Sequence, residues 1–338
     1  MKFTKTKTPV LSPRKDLSWA SGAVFNPGAW FENDQVHLLF RCIPAGYKTQ
    51  KLHNTNPLEP DMGFDDNYIS YIGYASSTDG VNFNWREKPF IAPGNSINKF
   101  GAEDPRISKI DDEYLITYTA LQRPAFDKID GVRIGLAVTK DFKTIHKHSI
   151  VGPPNHRDKD AVIFPRQING KILMLHRIEP NIQIIAFDSM EQLCNPPAKL
   201  WEKHMANLED HVVMRSEYEW EAKKIGAGST PIETEEGWLL IYHGVDKNHV
   251  YRMGVALLDL DNPKKVIARA NVPVLEPELD FELRGDVPNV VFPEGAVVIG
   301  GILHVYYGAA DLVIGHAQIP MDELMDWLLD FKTVKINK

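Results

Sequence analysis

The amino-acid sequence predicts an all-β fold, a five-bladed β-propeller that ends in a short C-terminal helix. One observation is a hairpin pattern that recurs five times along the 338 residues: an apolar pair, a proline, a polar turn and a second apolar strand. Repetition of one supersecondary unit at a roughly constant period is typical of propellers and other repeat folds. The other observation is that further apolar runs follow each hairpin, which makes about four strands per copy, as in a propeller blade. The five hairpins occupy residues 22–41, 101–120, 160–177, 226–244 and 288–311.

Each hairpin copy contains a proline, and we expect the five prolines to occupy equivalent positions in the five blades. Their spacings along the chain are 78, 60, 66 and 62 residues. Short runs of Gly, Asn, Asp or Glu separate the two apolar strands of each copy and indicate hairpin turns. The prolines are Pro27, Pro105, Pro165, Pro231 and Pro293.

The apolar runs that follow the hairpins predict the outer strands of the blades. Helical periodicity is confined to residues 321–332, and residues 43–67 and 195–215 are predicted to be long loops. A regular spacing of strands, taken alone, also fits a pair of β-sandwiches. The fivefold recurrence of one hairpin favours a single propeller domain that spans residues 1–338. The outer strands are expected within 68–85, 132–148, 182–193, 251–269 and 312–320.

Composition and charge indicate a soluble protein with no nucleic-acid or membrane partner. Asp and Glu (45) outnumber Lys and Arg (38), whereas nucleic-acid binding is associated with a basic excess. No run approaches the roughly 18 apolar residues of a membrane span, and the N-terminus lacks the apolar core of a signal peptide. The two cysteines, Cys42 and Cys194, fit a reducing compartment. We therefore expect a cytoplasmic protein, and we also expect a homo-oligomer.

The inner strands of a propeller converge on its centre, so residues beside the prolines and at the strand ends are predicted to meet there. Charged and polar groups dominate this set, and buried charges persist only when they are paired or bind a ligand. A turn or a solvated rim would explain each residue alone, but the five blades together favour a polar ligand site. The set comprises Asn26, Arg41, Asp104, Arg106, Lys159, Asp160, Arg177, His243, Asn289 and Asp311.

Two kinds of chemical group occur in this set. The cationic or donor groups suit an oxyanion such as phosphate or a carboxylate, and we expect them to repel one another when no anion is bound; they are Arg41, Lys159, Arg177 and His243. The carboxylates suit sugar hydroxyls or acid catalysis, and Asp104, which follows Glu103, is expected to hold a proton if neighbouring charges oppose its ionisation. No motif for nucleotide binding, zinc-dependent proteolysis or serine hydrolysis occurs in a suitable context.

Several long motifs resemble those of glycoside hydrolase family 130 and together extend from about residue 20 to 320. The resemblance implies a five-bladed β-propeller, in agreement with the repeat count. It also implies an activity on β-mannosides, because most members are β-mannoside phosphorylases and a smaller group are β-1,2-mannosidases. The motifs are GAEDPRI (101–107), DKDAVIFPRQINGKILMLHR (158–177), WEAKKIGAGSTPIETEEGWLLIYHGV (220–245), VYRMGVALLDLDNP (250–263) and VPNVVFPEGAVVIGGILHVYYGAAD (287–311).

The same resemblance implies roles for individual residues. Asp104 matches the catalytic acid of the family. Lys159, Arg177, His243 and Tyr251 match its phosphate pocket, although relatives often carry arginine in place of Lys159. No metal or organic cofactor is implied, and inorganic phosphate is a co-substrate. The residues that bind the sugar are implied to be Asn26, Arg41, Arg106, Asp160, Asn289 and Asp311.

The reaction implied is inverting phosphorolysis, in which a β-mannoside and phosphate give α-mannose 1-phosphate and an acceptor sugar. Inverting hydrolysis needs an acid and a second carboxylate as base, about 6.5–9.5 Å apart, whereas phosphorolysis needs an acid and a cationic site. The mannosidase group carries glutamates on the phosphate side, where this sequence has cationic and donor groups. An inverting β-mannosidase and a non-catalytic mannoside-binding propeller are the alternatives. The linkage (β-1,4 or β-1,2) and the acceptor stay open, and we expect the loops at 43–67 and 195–215 to contact the acceptor.

Overall fold

The computed structural model describes residues 1–51, 62–65, 67–123 and 131–332. Within these ranges, five antiparallel sheets form the blades of a β-propeller and a helix follows the last blade, so the predicted fold class is confirmed. The first strands of the blades lie beside one another around the centre, and the later strands of each blade follow outward. The inner strands therefore carry the residues that face the centre.

The chain opens with a two-residue strand, β1 (Thr4–Lys5). The first blade comprises β2 (Ala23–Glu32), β3 (Gln35–Ile43), β6 (Tyr71–Ser77) and β7 (Asn84–Trp85), and a separate hairpin joins β4 (Thr49–Lys51) to β5 (Met62–Phe64). The second blade comprises β8 (Gly101–Ile110), β9 (Glu113–Leu121), β10 (Val132–Thr139) and β11 (Ile145–Ile150). The third comprises β12 (Lys159–Ile163), β13 (Ile172–Arg177), β14 (Ile182–Phe187) and β15 (Val212–Met214).

The last two blades complete the circle. The fourth comprises β16 (Lys224–Ala227), β17 (Ile232–Glu233), β18 (Trp238–Val245), β19 (Tyr251–Leu258) and β20 (Val266–Arg269). The fifth comprises β21 (Val291–Ile299), β22 (Ile302–Ala309), β23 (Val313–Pro320) and, as its outermost strand, β1.

The N-terminal strand β1 closes the propeller. Its residue Lys5 pairs with Ala317 in β23, and the Lys5 ammonium forms an ion pair of 2.8 Å with the buried carboxylate of Glu282. The sequence pattern provided only three strands for the fifth blade, because the fourth strand comes from the opposite end of the chain. Hydrogen bonds to β23 thus tie the first blade to the last without a covalent link.

The core lies between the blades, where apolar side chains from neighbouring sheets interdigitate. All eight residues of β18 are buried, as expected for a strand covered on both faces. Its Trp238 meets Phe164 of the third blade edge to face, with ring centroids 5.2 Å apart. Burial of such apolar area is the main favourable contribution to folding.

Four α-helices of the described residues lie outside the blades: α1 (Met190–Cys194), α2 (Ala198–Ala206), α3 (Asp280–Leu283) and α4 (Met321–Leu329). Helix α4 confirms the C-terminal helix, and Leu324, Met325 and Leu328 on one side of it are buried. In the described part of the chain, no helix is long and apolar enough to span a membrane.

The prediction of a long loop at 195–215 is wrong, because α2, a 3₁₀ turn and β15 fill this segment. The indole N–H of Trp201 donates to the Val151 carbonyl at 2.9 Å, and the His204 ring hydrogen-bonds to the His176 ring at 2.9 Å. A helix of nine residues shows little periodicity in sequence, and such short helices depend on tertiary packing.

Two other predicted segments differ from the structure or fall outside it. The run 182–193 begins as β14 but ends in α1 rather than in a second strand, and Ser189 caps this helix by accepting from the Gln192 amide. Within 43–67, the structure contains the ends of a short hairpin, and residues 52–61 and 66 lie outside the described residues.

The expectation that the five prolines are equivalent is also wrong. Pro27 and Pro105 lie at the bulges of β2 and β8, and Pro293 lies at the bulge of β21. Pro165 and Pro231 lie beyond the ends of β12 and β16. The inner strands of the first, second, third and fifth blades share a bulge rather than the proline, and a bulge turns one side chain toward the centre.

Candidate active site

Bulges in three inner strands present three polar residues to the centre. Asn26, Asp104 and Asp160 lie at the register shifts of β2, β8 and β12. Their φ angles are 49°, 53° and 54°, a left-handed conformation that Asn and Asp tolerate better than other residues with a side chain. The local backbone therefore selects the same residue types that the site uses.

The fifth blade contributes a bulge residue that the sequence interpretation missed. In β21, Pro293 pairs with Tyr307 and Gly295 pairs with Tyr306, which leaves Glu294 at the shift in register. Glu294 is 1% exposed. Its place directly after the fifth hairpin proline was the available signal.

A first cluster surrounds Asp104. The Oδ1 atom of Asp104 accepts hydrogen bonds from Asn26 Nδ2 at 2.8 Å and from Arg41 Nη1 at 3.2 Å. Arg41 also donates through Nη2 to Glu103 at 2.5 Å and to the Tyr68 hydroxyl at 2.9 Å. Arg41 of the first blade is thus held by two carboxylates of the second blade.

A second cluster surrounds Asp160. Arg177 Nη1 lies 2.7 Å from Asp160 Oδ2 and 3.0 Å from His243 Nε2, and Arg177 is 5% exposed. Gly226 lies opposite His243 in the β16–β18 pairing. A Cβ atom on Gly226 would approach Asp160 Oδ2 to 2.2 Å, so this position accepts only glycine without displacement of the cluster.

Two further residues, which the sequence interpretation did not include, complete the second cluster. Glu179 Oε1 lies 3.3 Å from Arg177 Nη2 and 2.8 Å from Lys224 Nζ. Lys224 stands two positions before Gly226 in β16, and Glu179 stands two positions after Arg177. The two-residue spacing within β16 is the signal that could have identified Lys224, whereas Glu179 lies beyond the end of β13, where strand periodicity does not apply.

Arg106 joins the two clusters. Its Nη1 donates to the Asp104 main-chain carbonyl at 3.0 Å, and its Nη2 donates to Asp160 Oδ1 at 3.1 Å. Nη2 also lies 2.6 Å from Glu294 Oε1. Arg106 is 1% exposed, so a buried guanidinium links the side that carries Asp104 to the side that carries Arg177.

The remaining predicted residues border the same region. Lys159 Nζ lies 3.9 Å from Glu103 Oε2, and the Tyr251 ring lies 6.2 Å from the His243 ring, centroid to centroid. The amide of Tyr251 donates to the Asn289 carbonyl at 3.0 Å. The half-buried Asp311 interacts electrostatically with Arg41 and Asp104. The structure therefore brings all the predicted site residues together: Asn26, Arg41, Asp104, Arg106, Lys159, Asp160, Arg177, His243, Tyr251, Asn289 and Asp311.

The cations of the site are not gathered without partners, contrary to the expectation of mutual repulsion. Arg177 lies between Asp160 and Glu179, Lys224 pairs with Glu179, and Arg41 pairs with Glu103 and Asp104. Carboxylates offset the cations because a buried charge is costly unless it is paired. An incoming anion would therefore share these cations with the carboxylates.

Electrostatics differ between the two clusters. Burial alone would raise the pKa of Asp104, but Arg41, Lys159 and Arg106 outweigh it and hold the pKa below its ordinary value. Asp104 is thus ionised: its neighbours favour the charged form, so the condition under which it was expected to hold a proton is not met. Burial raises the pKa of Asp311 to about 7.

On the side of the second cluster, burial lowers the pKa of His243 to about 3, so its ring is neutral. Nε2 of this neutral ring accepts from Arg177, which puts the ring proton on Nδ1. Nδ1 has no hydrogen-bond partner in the described ranges. Burial and the nearby Arg177 lower the pKa of Lys224 to about 8, with Glu179 opposing this effect. Below about pH 8, Lys224 therefore carries a positive charge. The Nδ1–H group of His243 is available as a hydrogen-bond donor.

Comparisons with known proteins identify a consistent group of relatives. The profile of glycoside hydrolase family 130, described as beta-1,4-mannooligosaccharide phosphorylase, matches residues 15–330. A beta-1,2-mannobiose phosphorylase of Thermoanaerobacter sp. (strain X514) is 41% identical over 317 residues, covering 94% of this chain and 96% of the relative. A 1,2-beta-oligomannan phosphorylase of the same organism is 40% identical over 318 residues, with 94% and 96% coverage.

A solved structure is similar over nearly the whole chain. The beta-1,2-mannobiose phosphorylase from Listeria innocua, in complex with beta-1,2-mannobiose, has a TM-score of 0.76 and 30% sequence identity. The similarity covers 97% of this chain and 99% of that one.

Proposed function

The chain belongs to glycoside hydrolase family 130, and from this premise we propose that it is an inverting β-mannoside phosphorylase that prefers β-1,2 linkages. It would convert a β-mannoside and inorganic phosphate into α-mannose 1-phosphate and a shortened acceptor. One phosphate oxygen forms a bond to the anomeric carbon as the glycosidic C–O bond breaks, and the leaving oxygen takes a proton. Neither a metal nor an organic cofactor has a part in this scheme.

One observation above all supports phosphorolysis over hydrolysis: the carboxylates beside Arg177 are occupied by cations. Burial alone would raise the pKa of Glu179, but Arg177 and Lys224 outweigh it and lower the pKa to about 2. An inverting hydrolase needs a carboxylate that accepts a proton from water, and a carboxylate with so low a pKa is a weak base. Buried cations beside a weak base suit the binding of an oxyanion instead.

The second cluster supplies the groups for phosphate. Arg177 and Lys224 provide positive charge, neutral His243 has a free Nδ1–H, and Lys159 and Tyr251 border the cluster. Phosphate would take a share of the cations that now contact Asp160 and Glu179. Fixed cations that orient the nucleophile lower the barrier by pre-organisation.

Asp104 supplies the proton in this scheme, directly or through a sugar hydroxyl. Burial opposes its depressed pKa, which depends on the nearby charges of Arg41, Lys159 and Arg106. Phosphate adds negative charge and the sugar displaces water, and both changes favour the protonated acid. Asp104 would thus become an acid only when both substrates are bound, while Asn26, Arg41, Asn289 and Asp311 hold the mannosyl unit.

We expect turnover of β-1,2-mannobiose to require phosphate. With phosphate, α-mannose 1-phosphate and mannose should form in equal amounts, and phosphate-free buffer should yield neither. The measurement follows both products separately in the same reaction. Free mannose released at an equal rate without phosphate would establish the hydrolase instead, and binding of mannobiose without any turnover would establish a sugar-binding propeller.

The β-1,2 preference is supported by the two Thermoanaerobacter relatives and the Listeria structure, which are named for β-1,2-linked substrates. The family profile, in contrast, is described by a β-1,4-linked substrate. We expect synthesis from α-mannose 1-phosphate, with mannose, glucose, N-acetylglucosamine and mannobiose as separate acceptors, to give a β-1,2-mannoside with mannose or mannobiose. The linkage is read from the product by NMR, and a β-1,4 product would refute the preference but not the phosphorolysis.

A further inference from the structure

Among the described residues, Glu294 is the buried carboxyl group at the centre of the propeller that has neither oxygen in a hydrogen bond. Its side chain is fully buried (0% exposed), and Oε1 lies 2.6 Å from Arg106 Nη2. Neither carboxyl oxygen, however, has a hydrogen-bond partner in the part of the chain that the structure describes. The contact with Arg106 is therefore close but not aligned as a hydrogen bond.

Arg106 faces more carboxyl groups than it can neutralise. The same Nη2 atom that approaches Glu294 donates to Asp160 Oδ1 at 3.1 Å, and Nη1 holds the main-chain carbonyl of Asp104. Asp160 has a second cation in Arg177, and Asp104 has one in Arg41. Among the described residues, Glu294 has no second cation within ion-pair distance, and an ionised carboxylate that is buried without full compensation is costly.

We propose that Glu294 is a positioning residue that acts as a neutral carboxylic acid, holding the Arg106 guanidinium between the strand of Asp104 and the side chain of Asp160. Without its own charge, Glu294 leaves the positive charge of Arg106 to Asp160. Arg106 can then keep the Asp104 bulge and the Asp160–Arg177 pair in one arrangement. The effect of Glu294 on turnover rests on the proposed phosphorylase activity, whereas the charge state of Glu294 does not.

The charged groups that face Glu294 from the neighbouring strands support this state. Burial, the largest cause, raises the pKa of Glu294 well above its ordinary value. Arg106 and Arg41 oppose burial, whereas the charges of Asp104 and Asp160 add to it. Two carboxylates and two guanidinium groups thus surround Glu294, and the balance favours the proton.

The first test measures thermal stability against pH for the parent and for Glu294→Gln. A carboxyl group whose pKa is raised by folding makes its full contribution to the stability of the protein below its unfolded pKa, about 4.3. This contribution is lost as the pH rises through the range up to the folded pKa, because folding must then bind a proton. Glutamine does not titrate. We therefore expect Glu294→Gln to raise the Tm by a few degrees at pH 7 and to show a smaller gain toward pH 4.

Glu282→Gln is the matched control for the stability test. Glu282 is also buried, but its carboxylate accepts from Lys5 at 2.8 Å, from Tyr307 at 2.6 Å and from two backbone amides. We expect this substitution to lower the Tm at pH 7, because an amide cannot accept from all these donors. A Tm of Glu294→Gln that is unchanged or lower at every pH would overturn the neutral state of Glu294.

The second test measures steady-state kinetics. We expect Glu294→Ala to lower kcat by about ten- to a hundredfold through misplacement of the reacting groups. Glu294→Gln should restore most of this loss, within about threefold of the parent, with an unaltered pH profile. Loss of kcat in Glu294→Gln equal to that in Glu294→Ala would mean that the charge is needed, and parental kcat in Glu294→Ala would remove the positioning role. If the parent shows no phosphorolysis, the stability test still decides the charge state.

Discussion

Asp104→Asn is expected to lower kcat for phosphorolysis by about 10²- to 10⁴-fold, the usual contribution of a general acid. Asparagine cannot supply the proton that the leaving oxygen takes. Binding should persist, because the asparagine oxygen can still accept from Asn26 and Arg41, and Arg41 keeps its contact with Glu103. The measurement is kcat and both KM values on β-1,2-mannobiose, with calorimetric titration of phosphate.

Asparagine is the appropriate substitution because of the backbone. Asp104 has a φ of 53°, which asparagine adopts readily and alanine does not. Asp111→Asn is the matched control, since Asp111 has a φ of 54° in the exposed turn after the same strand, and it should leave kcat at the parental value. A rate above about a tenth of the parent in Asp104→Asn would assign the acid elsewhere, first to Asp311, whose pKa is about 7.

Arg177→Ala is expected to raise the KM for phosphate by about ten- to a hundredfold, because a charge-assisted contact is worth roughly 1.5–3 kcal/mol. The KM for the mannoside should change much less. The free energy of unfolding should also fall, by about 3–5 kcal/mol, because removing one partner of a buried ion pair leaves Asp160 and Glu179 undercompensated. This loss of stability differs from what mutual repulsion among the cations would give, because repulsion predicts that removing one cation costs little.

Two companion variants separate phosphate binding from stability. Arg177→Lys keeps the charge but not the planar fork, so it should recover stability more fully than phosphate affinity. Arg166→Ala removes an exposed arginine that pairs with Glu233 at 2.7 Å, and surface pairs contribute only about 0–1 kcal/mol. An unchanged KM for phosphate in Arg177→Ala, with a raised KM for the mannoside, would place the phosphate elsewhere.

The site residues could be predicted from the sequence only where they lie in recognisable motifs. Asp104, Arg177 and His243 lie in long motifs, and the structure brings them into connected clusters. Lys224 and Glu294 lie within such motifs and Glu179 stands two residues after one, but the motifs do not show which partners these three residues meet. Their importance comes from the partners they meet, which belong to other blades or other strands.

The charge states of Asp104 and Glu294 likewise could not be predicted from the sequence. Asp104 was expected to hold a proton if neighbouring charges opposed its ionisation, yet Arg41 of the neighbouring blade outweighs burial and keeps the pKa of Asp104 low. For Glu294, by contrast, burial raises the pKa, and two carboxylates of other blades add to the effect. A pKa depends on charges within a few ångströms, and the sequence does not specify which charges those are.

The sequence by itself determined the five-bladed propeller, because hairpin repeats are local patterns and five similar units have few ways to bury their faces. It also determined the residue types at the bulges, since only a few side chains tolerate a left-handed backbone. Only the tertiary structure decided that β1 closes the fifth blade, that α2 replaces a loop, and that carboxylates offset the cations of the site. Each of these depends on contacts between distant parts of the chain, whose energy no local pattern contains.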